Sequence, residues 1–528
     1  MTPLQPDHSP VTSRPEAERD EMLRELERLR REVDDLECIN AQLLNDVRRL
    51  QEEIADRDRT ISGIYAGRIW RLARPLFELH RLLGRVVALW KKPAKQHVDQ
   101  RADPGQAESD VGARSAAEEE VARDESEMVA PRGLVLAPAD GNRERRVAQS
   151  PSDLYDVLCF SVLDWDFAYQ RPHQLAAQFA RLGHRVFYVS PGKMCPPDSP
   201  AAFTLHEQRE RLYEVLLANH RPMNLCGGEL APEKMVQLLA SVDSLRRLHN
   251  IVHAVILVQL PFWRPLAIEL RRRFAWTMIY DCMDEWSGFP GWDDSVNELE
   301  SRLVDECDLL LVSSSKLLGK WDQRKAGSCV LVRNACNYEH FRRARPNDLL
   351  DGVARPIVGY FGAIAEWFDF DLLAFLARSR PQYSFVLLGW PASGIRLKPF
   401  ESLPNVRFLG RQAYSILPYY LYNFDACIIP FLANRTTESV DPVKFYEYIS
   451  LGKPVVAIGV PELCEYRKHL YIADDHRDFL AKLDVAVAES DPEMVRQRIE
   501  LARQNTWEAR VEIVKQSIER IKDEYAFS

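Results

Sequence analysis

The chain of 528 residues holds ten cysteines but no C-x-x-C pair and no Cys/His cluster at the spacing of a zinc site. Cysteines scattered in this way are the usage of a reducing compartment, and Cys159, Cys282 and Cys427 read as small buried hydrophobes in apolar runs. No uninterrupted apolar stretch reaches eighteen residues, so no segment is expected to span a bilayer. The first twenty residues hold Asp7, Glu16, Glu18 and Asp20 and no apolar core, so a secretory leader is not expected. Positive charge is not in excess either: 69 Lys and Arg against 78 Asp and Glu leave -9. That balance offers nucleic acid no global attraction, and no nucleic-acid partner is expected. A cytoplasmic protein follows, with peripheral contact at the inner membrane left open to one segment. Phe, Trp and Tyr are all absent between Pro93 and Asp153. Such a stretch cannot bury enough apolar surface to offset its ordering entropy, and residues 93–153 read as a flexible linker.

What is present is ample for large cores. Hydrophobic residues make up 46% and charged residues 28%, the balance of a globular protein, and the length leaves room for roughly three compact units. After a tail over residues 1–20, apolar residues from Met22 to Ile61 alternate at three and four. Leu26, Val33, Val47 and Ile54 take one heptad position, and Leu29, Leu36, Leu43 and Leu50 the other. Asn40 stands at one of the first set and would pin the register, so residues 21–62 predict a parallel coiled coil and a homodimer. A lone amphipathic helix is the alternative. Residues 63–92 carry Arg68, Arg71, Arg74, Arg81, Arg85, Lys91 and Lys92 against Glu78 alone, with Trp70 and Trp90 near the ends. This basic amphipathic helix suits an anionic membrane interface, or docks with its arginines in water.

From Leu154 onward short apolar runs alternate with helical stretches. Strands are expected at 154–162, 185–190, 254–260, 277–281, 309–313 and 329–333, with helices at 171–182, 232–247, 265–274 and 296–305. A second series expects strands at 357–361, 384–388, 406–409, 426–429, 454–457 and 470–473, with helices at 370–378, 415–422 and 443–451. Buried strands separated by helices predict an α/β protein of two Rossmann-like doubly wound domains, at 154–345 and 352–506. A C-terminal helix over 507–528 is expected to pack back toward the first. Ligands of such sheets bind outside the carboxyl ends of the strands, so the loops after strands are where the chemistry is expected.

The strongest local constellation is DPVKFYEYISLGKPVV at 441–456. Asp441 can cap a helix beginning at Pro442, and Gly452 ends it. Lys444 and Glu447, three residues apart, share a face. A cation beside a carboxylate is what a nucleotide-sugar diphosphate and its ribose hydroxyls require; an intrahelical ion pair on a solvated face is the plainer reading. In the first half, Asp164, Trp165, Asp166, Gln170 and Arg171 lie in the loop after the first strand and offer donors, acceptors and an aromatic plane to a sugar. Trp165 and Phe167 can equally be packing, and His173 reads as a helix residue bonded to backbone. Asp281 and Asp284 follow the strand at 277–281. Asp284 is the candidate base toward an acceptor hydroxyl, or a cap of the next helix, and Asp281 a candidate acceptor ligand.

The stretch PVKFYEYISLGKPVV, with YFGAIAEWFD at 360–369, NVRFLG at 405–410 and CIIPF at 427–431, resembles the donor domain of GT-B glycosyltransferases of the group 1 superfamily. DWDFAYQRPHQLAAQFARLGHRVFYVSP at 164–191, VQLPFW at 258–263 and YDCMDEW at 280–286 resemble the acceptor domain of a bacterial cell-surface polysaccharide branch. YAGRIWRLARPL is similar to a short segment that precedes glycosyltransferase domains of O-antigen assembly. The resemblance implies transfer of a sugar from a nucleotide-diphosphate-sugar to a hydroxyl of a glycan or lipid-linked acceptor, with no bound metal and no cofactor beyond the donor. It implies that Glu447 holds the donor ribose and that Gly362 and Ala363 face the diphosphate. The family's paired glutamates stand so that the partner of Glu447 falls on Ser439, with Glu438 one place off. Its usual basic residue after the first donor-domain strand is missing, so Lys444 or Arg435 must supply the charge. Two other readings stay open. Asp164-x-Asp166 and Asp369-x-Asp371 match the manganese-binding D-x-D of GT-A enzymes, and the chain can be a membrane-tethered scaffold that keeps the fold without turnover.

Overall fold

The computed structural model describes residues 134–136, 154–195, 202–218, 225, 230–289, 295–389, 391–392, 395 and 397–526. The expected tail, coiled coil and basic helix lie outside the described residues, as does most of the linker. One described segment departs from that linker: β1 (Leu134–Leu136) pairs antiparallel with β4 (Phe203–Arg209). The run LVL at 134–136 has the β-branched and aliphatic composition that fits a sheet edge.

The first sheet also holds β2 (Asp156–Phe160), β3 (Val186–Val189), β5 (Leu212–Leu217), β6 (Ala254–Val258), β7 (Thr277–Cys282), β8 (Leu309–Val312) and β9 (Cys329–Leu331), in the order β1-β4-β5-β3-β2-β6-β7-β8-β9. From β5 to β9 every pairing is parallel. Each residue of β2, β3, β6 and β8 is buried, because helices cover both faces, and the one charged member, Asp156, pairs with buried Arg185. Helices α1 (Arg171–Arg181), α2 (Pro232–Leu248), α3 (Arg264–Phe274), α4 (Ser295–Glu306) and α5 (Ser315–Trp321) belong to this lobe.

The second sheet is wholly parallel: β10 (Ile357–Phe361), β11 (Ser384–Leu388), β12 (Val406–Phe408), β13 (Ala426–Ile429), β14 (Val455–Ile458) and β15 (Tyr471–Ala473), ordered β12-β11-β10-β13-β14-β15. Its helices are α6 (Phe370–Ser379), α7 (Leu417–Asn423), α8 (Val443–Ile449), α9 (His476–Ala488) and α10 (Pro492–Gln504). A last helix, α11 (Trp507–Ala526), returns to the first lobe. Its Trp507, Val511, Val514, Ile518 and Ile521 join one apolar cluster with Val157, Leu175 and Tyr188.

The β4–β5 hairpin is absent from the sequence-based expectation. Its FTLHEQR mixes charges into the apolar alternation and gives no continuous run to mark it. Helices α5, α9 and α10 were likewise not anticipated. The expectation that Asp441 caps its helix is corrected: the cap is Pro442, without a side-chain hydrogen bond. The Asp441 carboxylate is occupied elsewhere. It accepts from the Asn334 backbone N–H at 2.6 Å and from the Tyr446 hydroxyl at 3.0 Å.

In both sheets the strand order reverses beside the first strand, between β2 and β6 and between β10 and β13. These are the switch points outside which open α/β sheets bind ligands. The loops after β2, β10 and β13 all line one cleft between the lobes.

Candidate functional site

The cleft encloses about 1210 Å³ and is lined from both lobes. On the second-lobe wall, α8 turns Phe445, Tyr448 and Ile449 into the core. Helical periodicity then presents Lys444 and Glu447 to the cleft, and both line it. Lys444 Nζ stands 5.4 Å from the centre of the Tyr360 ring and 4.9 Å from that of Phe431, so its ammonium rests on aromatic faces. Burial pulls its pKa down to about 8, against an opposing pull from Glu447. Glu447 is buried, accepts a hydrogen bond from Tyr414, and is pushed up by burial to about 7.

The loop after β10 is shaped around Lys444. Gly362 has φ +143°, and a Cβ there would lie 2.8 Å from Lys444 Cε. Gly389, at φ +147°, lies so close beneath that its Cβ would fall 2.0 Å from the Gly362 carbonyl oxygen. Both positions therefore require glycine on conformational and steric grounds. Ala363 follows on the cleft wall, and its carbonyl accepts from the Tyr360 hydroxyl at 2.7 Å.

The remaining second-lobe candidates are not brought here. Arg435 is exposed and absent from the cleft lining; its charge acts on Glu285 of the first lobe. Ser439 is fully buried, and Glu438 pairs with Lys316 of the first lobe. Neither position can present a carboxylate beside Glu447.

On the first-lobe wall, Trp165, Asp166, Gln170, Arg171 and Asp284 line the cleft. Asp284 is pushed up to about 7, first by burial and further by Asp281, while Arg171 pulls it down. Three expected acceptor ligands are placed otherwise. Arg171 and Asp281 are both buried and hold each other, with Arg171 Nη2 at 2.7 Å and Nε at 3.0 Å from Asp281 Oδ1. Gln259 donates to the other carboxylate oxygen at 3.1 Å, and Arg171 Nη1 reaches the Val332 carbonyl at 2.8 Å. A buried guanidinium and carboxylate cannot be left unpaired, so the pair forms the floor of the site and its donors are spent. Asp164 lies off the cleft and accepts from the Gly192 N–H at 2.7 Å, holding the neighbouring loop.

Trp165 is nearly buried among Tyr169, His173 and Tyr188. His173 is a packing residue. Its Nδ1 accepts from the Gln170 N–H at 3.3 Å, which leaves Nε2–H to donate to the Asp164 carbonyl at 3.2 Å, and burial lowers its pKa to about 4.

The lobes are tied across the cleft. Asn334 Nδ2 donates to the Asp441 carbonyl at 2.6 Å, Gln174 to the Tyr414 hydroxyl at 3.0 Å, and Arg411 to the carbonyls of Asp166 and Phe167 at 3.0 and 2.9 Å. Sequence reasoning missed Asn334, Tyr414 and Arg411. Arg411 directly follows the NVRFLG motif at 405–410 and Tyr414 stands shortly beyond it, the one signal that pointed near them.

Residues 355–493 match the family described as Glycosyl transferases group 1. That segment spans the second sheet together with Lys444, Glu447 and the Gly362 loop. A curated relative, described as a putative teichuronic acid biosynthesis glycosyltransferase TuaH of Bacillus subtilis, is 26% identical over 257 residues, which are 44% of this chain and 65% of the relative. The chain thus spans about two thirds of the length of that relative. Three solved structures share the two-lobed architecture. Sucrose-phosphate synthase from Thermosynechococcus elongatus superposes with a TM-score of 0.54 at 16% identity, covering 71% of this chain and 100% of its own. Anabaena Alr3699/HepE in complex with UDP-glucose gives 0.52 at 14%, covering 70% and 99%. An α,α-trehalose-phosphate synthase (UDP-forming) from Burkholderia vietnamiensis gives 0.51 at 10%, covering 71% and 99%. The fold is GT-B: two Rossmann-like lobes, which sets aside the GT-A reading of the D-x-D pairs. Asp369 in fact caps α6 through the Leu372 N–H at 2.7 Å.

Proposed function

We propose that the protein is a glycosyltransferase that moves a sugar from a nucleotide-diphosphate-sugar to a hydroxyl of a glycan or lipid-linked acceptor, in assembly of a bacterial surface polysaccharide or glycolipid. The observation that carries this reading is the convergence of Lys444, Glu447 and the Gly362–Ala363 loop on one wall of the interlobe cleft.

In this reading Glu447 accepts hydrogen bonds from the two ribose hydroxyls of the donor. Lys444 neutralises the diphosphate, whose charge grows as the bond from the anomeric carbon to its oxygen breaks. The backbone at Gly362 and Ala363 approaches the phosphates closely because no side chain intervenes at Gly362. Asp284, on the opposite wall and titrating near neutrality, takes the proton of the attacking acceptor hydroxyl. The Arg171–Asp281 pair holds the floor beneath it. No step here calls on a metal, and turnover in excess EDTA is expected to persist.

The match of residues 355–493 to group 1 glycosyltransferases supports the donor side, and the relative named for teichuronic acid biosynthesis supports the polymer class. Among the described residues no helix is long and apolar enough to cross a membrane. A cytoplasmic site of action, dimerisation through residues 21–62 and membrane contact through 63–92 belong to the same proposal. The test is a panel of nucleotide sugars offered to the full chain, with nucleotide release read by mass spectrometry. Release from one donor that is lost in Glu447→Ala supports the transferase. Silence across the panel favours the scaffold.

A further inference from the structure

We propose that the first-lobe wall of the cleft carries a subsite for an anionic group on the acceptor, a carboxylate or a phosphate, with Arg209 as its counter-ion. The inference deepens the transferase reading and rests on it for the word acceptor.

Arg209 ends β4 at an irregularity. The pairing of β4 with β5 shifts register between Glu207 and Arg209. Regular alternation would send Arg209 to the face opposite His206 and Gln208. The shift brings it to the same side, and all three line the cleft. Bulges re-aim a side chain in this manner and recur beside functional sites.

Among the described residues the guanidinium meets no counter-ion there. Arg209 Nη2 donates to the Tyr169 hydroxyl at 3.3 Å, while Nε is buried and has no partner. Among the described residues no carboxylate lies within ion-pair distance of it. The nearby acids are engaged: Glu214 accepts from Ser190 at 2.6 Å, Gln208 at 3.1 Å and Lys193 at 3.2 Å, and Asp166 pairs with Lys193 at 2.9 Å. A fork of five N–H donors with one in use is suited to a planar or tetrahedral oxyanion taken in bidentate fashion. Leaving a buried donor unpaired is costly unless a ligand completes it.

The donor diphosphate is a poor candidate for that ligand, because Lys444 faces it from the other lobe. Tyr169 packs against Tyr414 with ring centres 5.0 Å apart and planes tilted by 37°, and Tyr414 donates to Glu447. This aromatic pair stands between Arg209 and the proposed ribose carboxylate.

The experiment titrates the full chain with methyl β-glucuronide, glucose 6-phosphate and the neutral methyl β-glucoside by calorimetry, with no donor present. The wild type is expected to bind at least one anionic sugar about tenfold more tightly than the glucoside, the equivalent of one charge-assisted hydrogen bond, and less tightly as salt is added. The preferred anion tells carboxylate from phosphate. Arg209→Gln abolishes the preference and Arg209→Lys keeps part of it, with melting temperatures verifying that each variant folds. Equal binding of charged and neutral sugars by the wild type, no binding of either anion, or an undiminished preference in both variants overturns the proposal. In a separate titration with UDP, a loss of affinity in Arg209→Gln that leaves the anionic-sugar preference intact also overturns it and reassigns the residue to the diphosphate. Because no turnover is needed, a silent donor panel with the anion preference intact would sink the transferase reading and leave the anion subsite standing.

Discussion

Three titratable side chains of the cleft, Lys444 and Glu447 on one wall and Asp284 on the other, are held away from their ordinary pKa values, and burial is the first cause for each. Glu447 and Asp284 are pushed up to about 7 and Lys444 is pulled down to about 8. Below about pH 7 the ribose acceptor and the base are protonated; above about pH 8 the diphosphate loses its cation. A bell-shaped kcat/KM profile with limbs near these values is expected from initial rates between pH 5 and about 10. Glu447→Ala removes a charge-assisted hydrogen bond worth roughly 2–3 kcal/mol. Donor kinetics should show kcat/KM falling about 30- to 150-fold, and wild-type values would place the donor on another face. Asp284→Asn should separate function from stability. A carboxyl whose folded pKa lies above its unfolded value of 3.8 stabilises the fold fully only below that value, and the contribution is lost as pH rises through about 7. The amide is uncharged throughout, so the variant should lose turnover yet melt higher than wild type at pH 8, with the gain vanishing near pH 4. Calorimetric melting at the two pH values checks it.

At the level of elements, the donor wall depends on two strand-to-loop turns lying in contact. Gly389 passes beneath Gly362, and Gly362 leaves room for Lys444. Gly362→Ala demands a left-handed backbone from a residue with a Cβ, and pushes that Cβ into the lysine. A loss of about 1–3 kcal/mol of stability and a weakened nucleotide affinity are expected together, from denaturant melts and nucleotide titration. The short helix α8 serves both core and site. Its Phe445, Tyr448 and Ile449 are fully buried, which leaves Lys444 and Glu447 no orientation other than the cleft.

For the whole molecule, the decisive connection is the return of α11. The helix follows the second lobe in sequence but fills the first lobe's core, and Trp507 is fully buried at its start. Arg510 reinforces the joint by donating to the carbonyls of Arg333 and Asn334 at 3.0 and 3.2 Å. Trp507→Ala opens a large cavity where the lobes meet, at a cost of about 3–5 kcal/mol. Thermal melts should show the loss in the first lobe, and truncation before Trp507 should leave that lobe unable to fold. Between the lobes, Arg333 also pairs with Glu462 at 3.0 Å and with Glu465 at 2.7 Å.

Residue order alone carried the two doubly wound series. A strand buried on both faces must be continuously apolar, and the runs at 357–361, 384–388 and 426–429 coincide with β10, β11 and β13. It also carried Lys444 and Glu447, because helical spacing is a local property. The β4–β5 hairpin was not legible, since its charged alternation resembles a loop until a sheet edge receives it. Nor was the fate of Arg171, Asp281 and Asp164. Each is the right residue type in the right loop, but whether an ion faces a ligand or another ion 110 positions away is settled only when the strands are assembled. Arg209 is the converse case: unremarkable in the chain, it becomes a charge with no carboxylate partner among the described residues when a shift in strand register turns it into the cleft. Local spacing decides which face a side chain takes, and only long-range packing decides what that face meets.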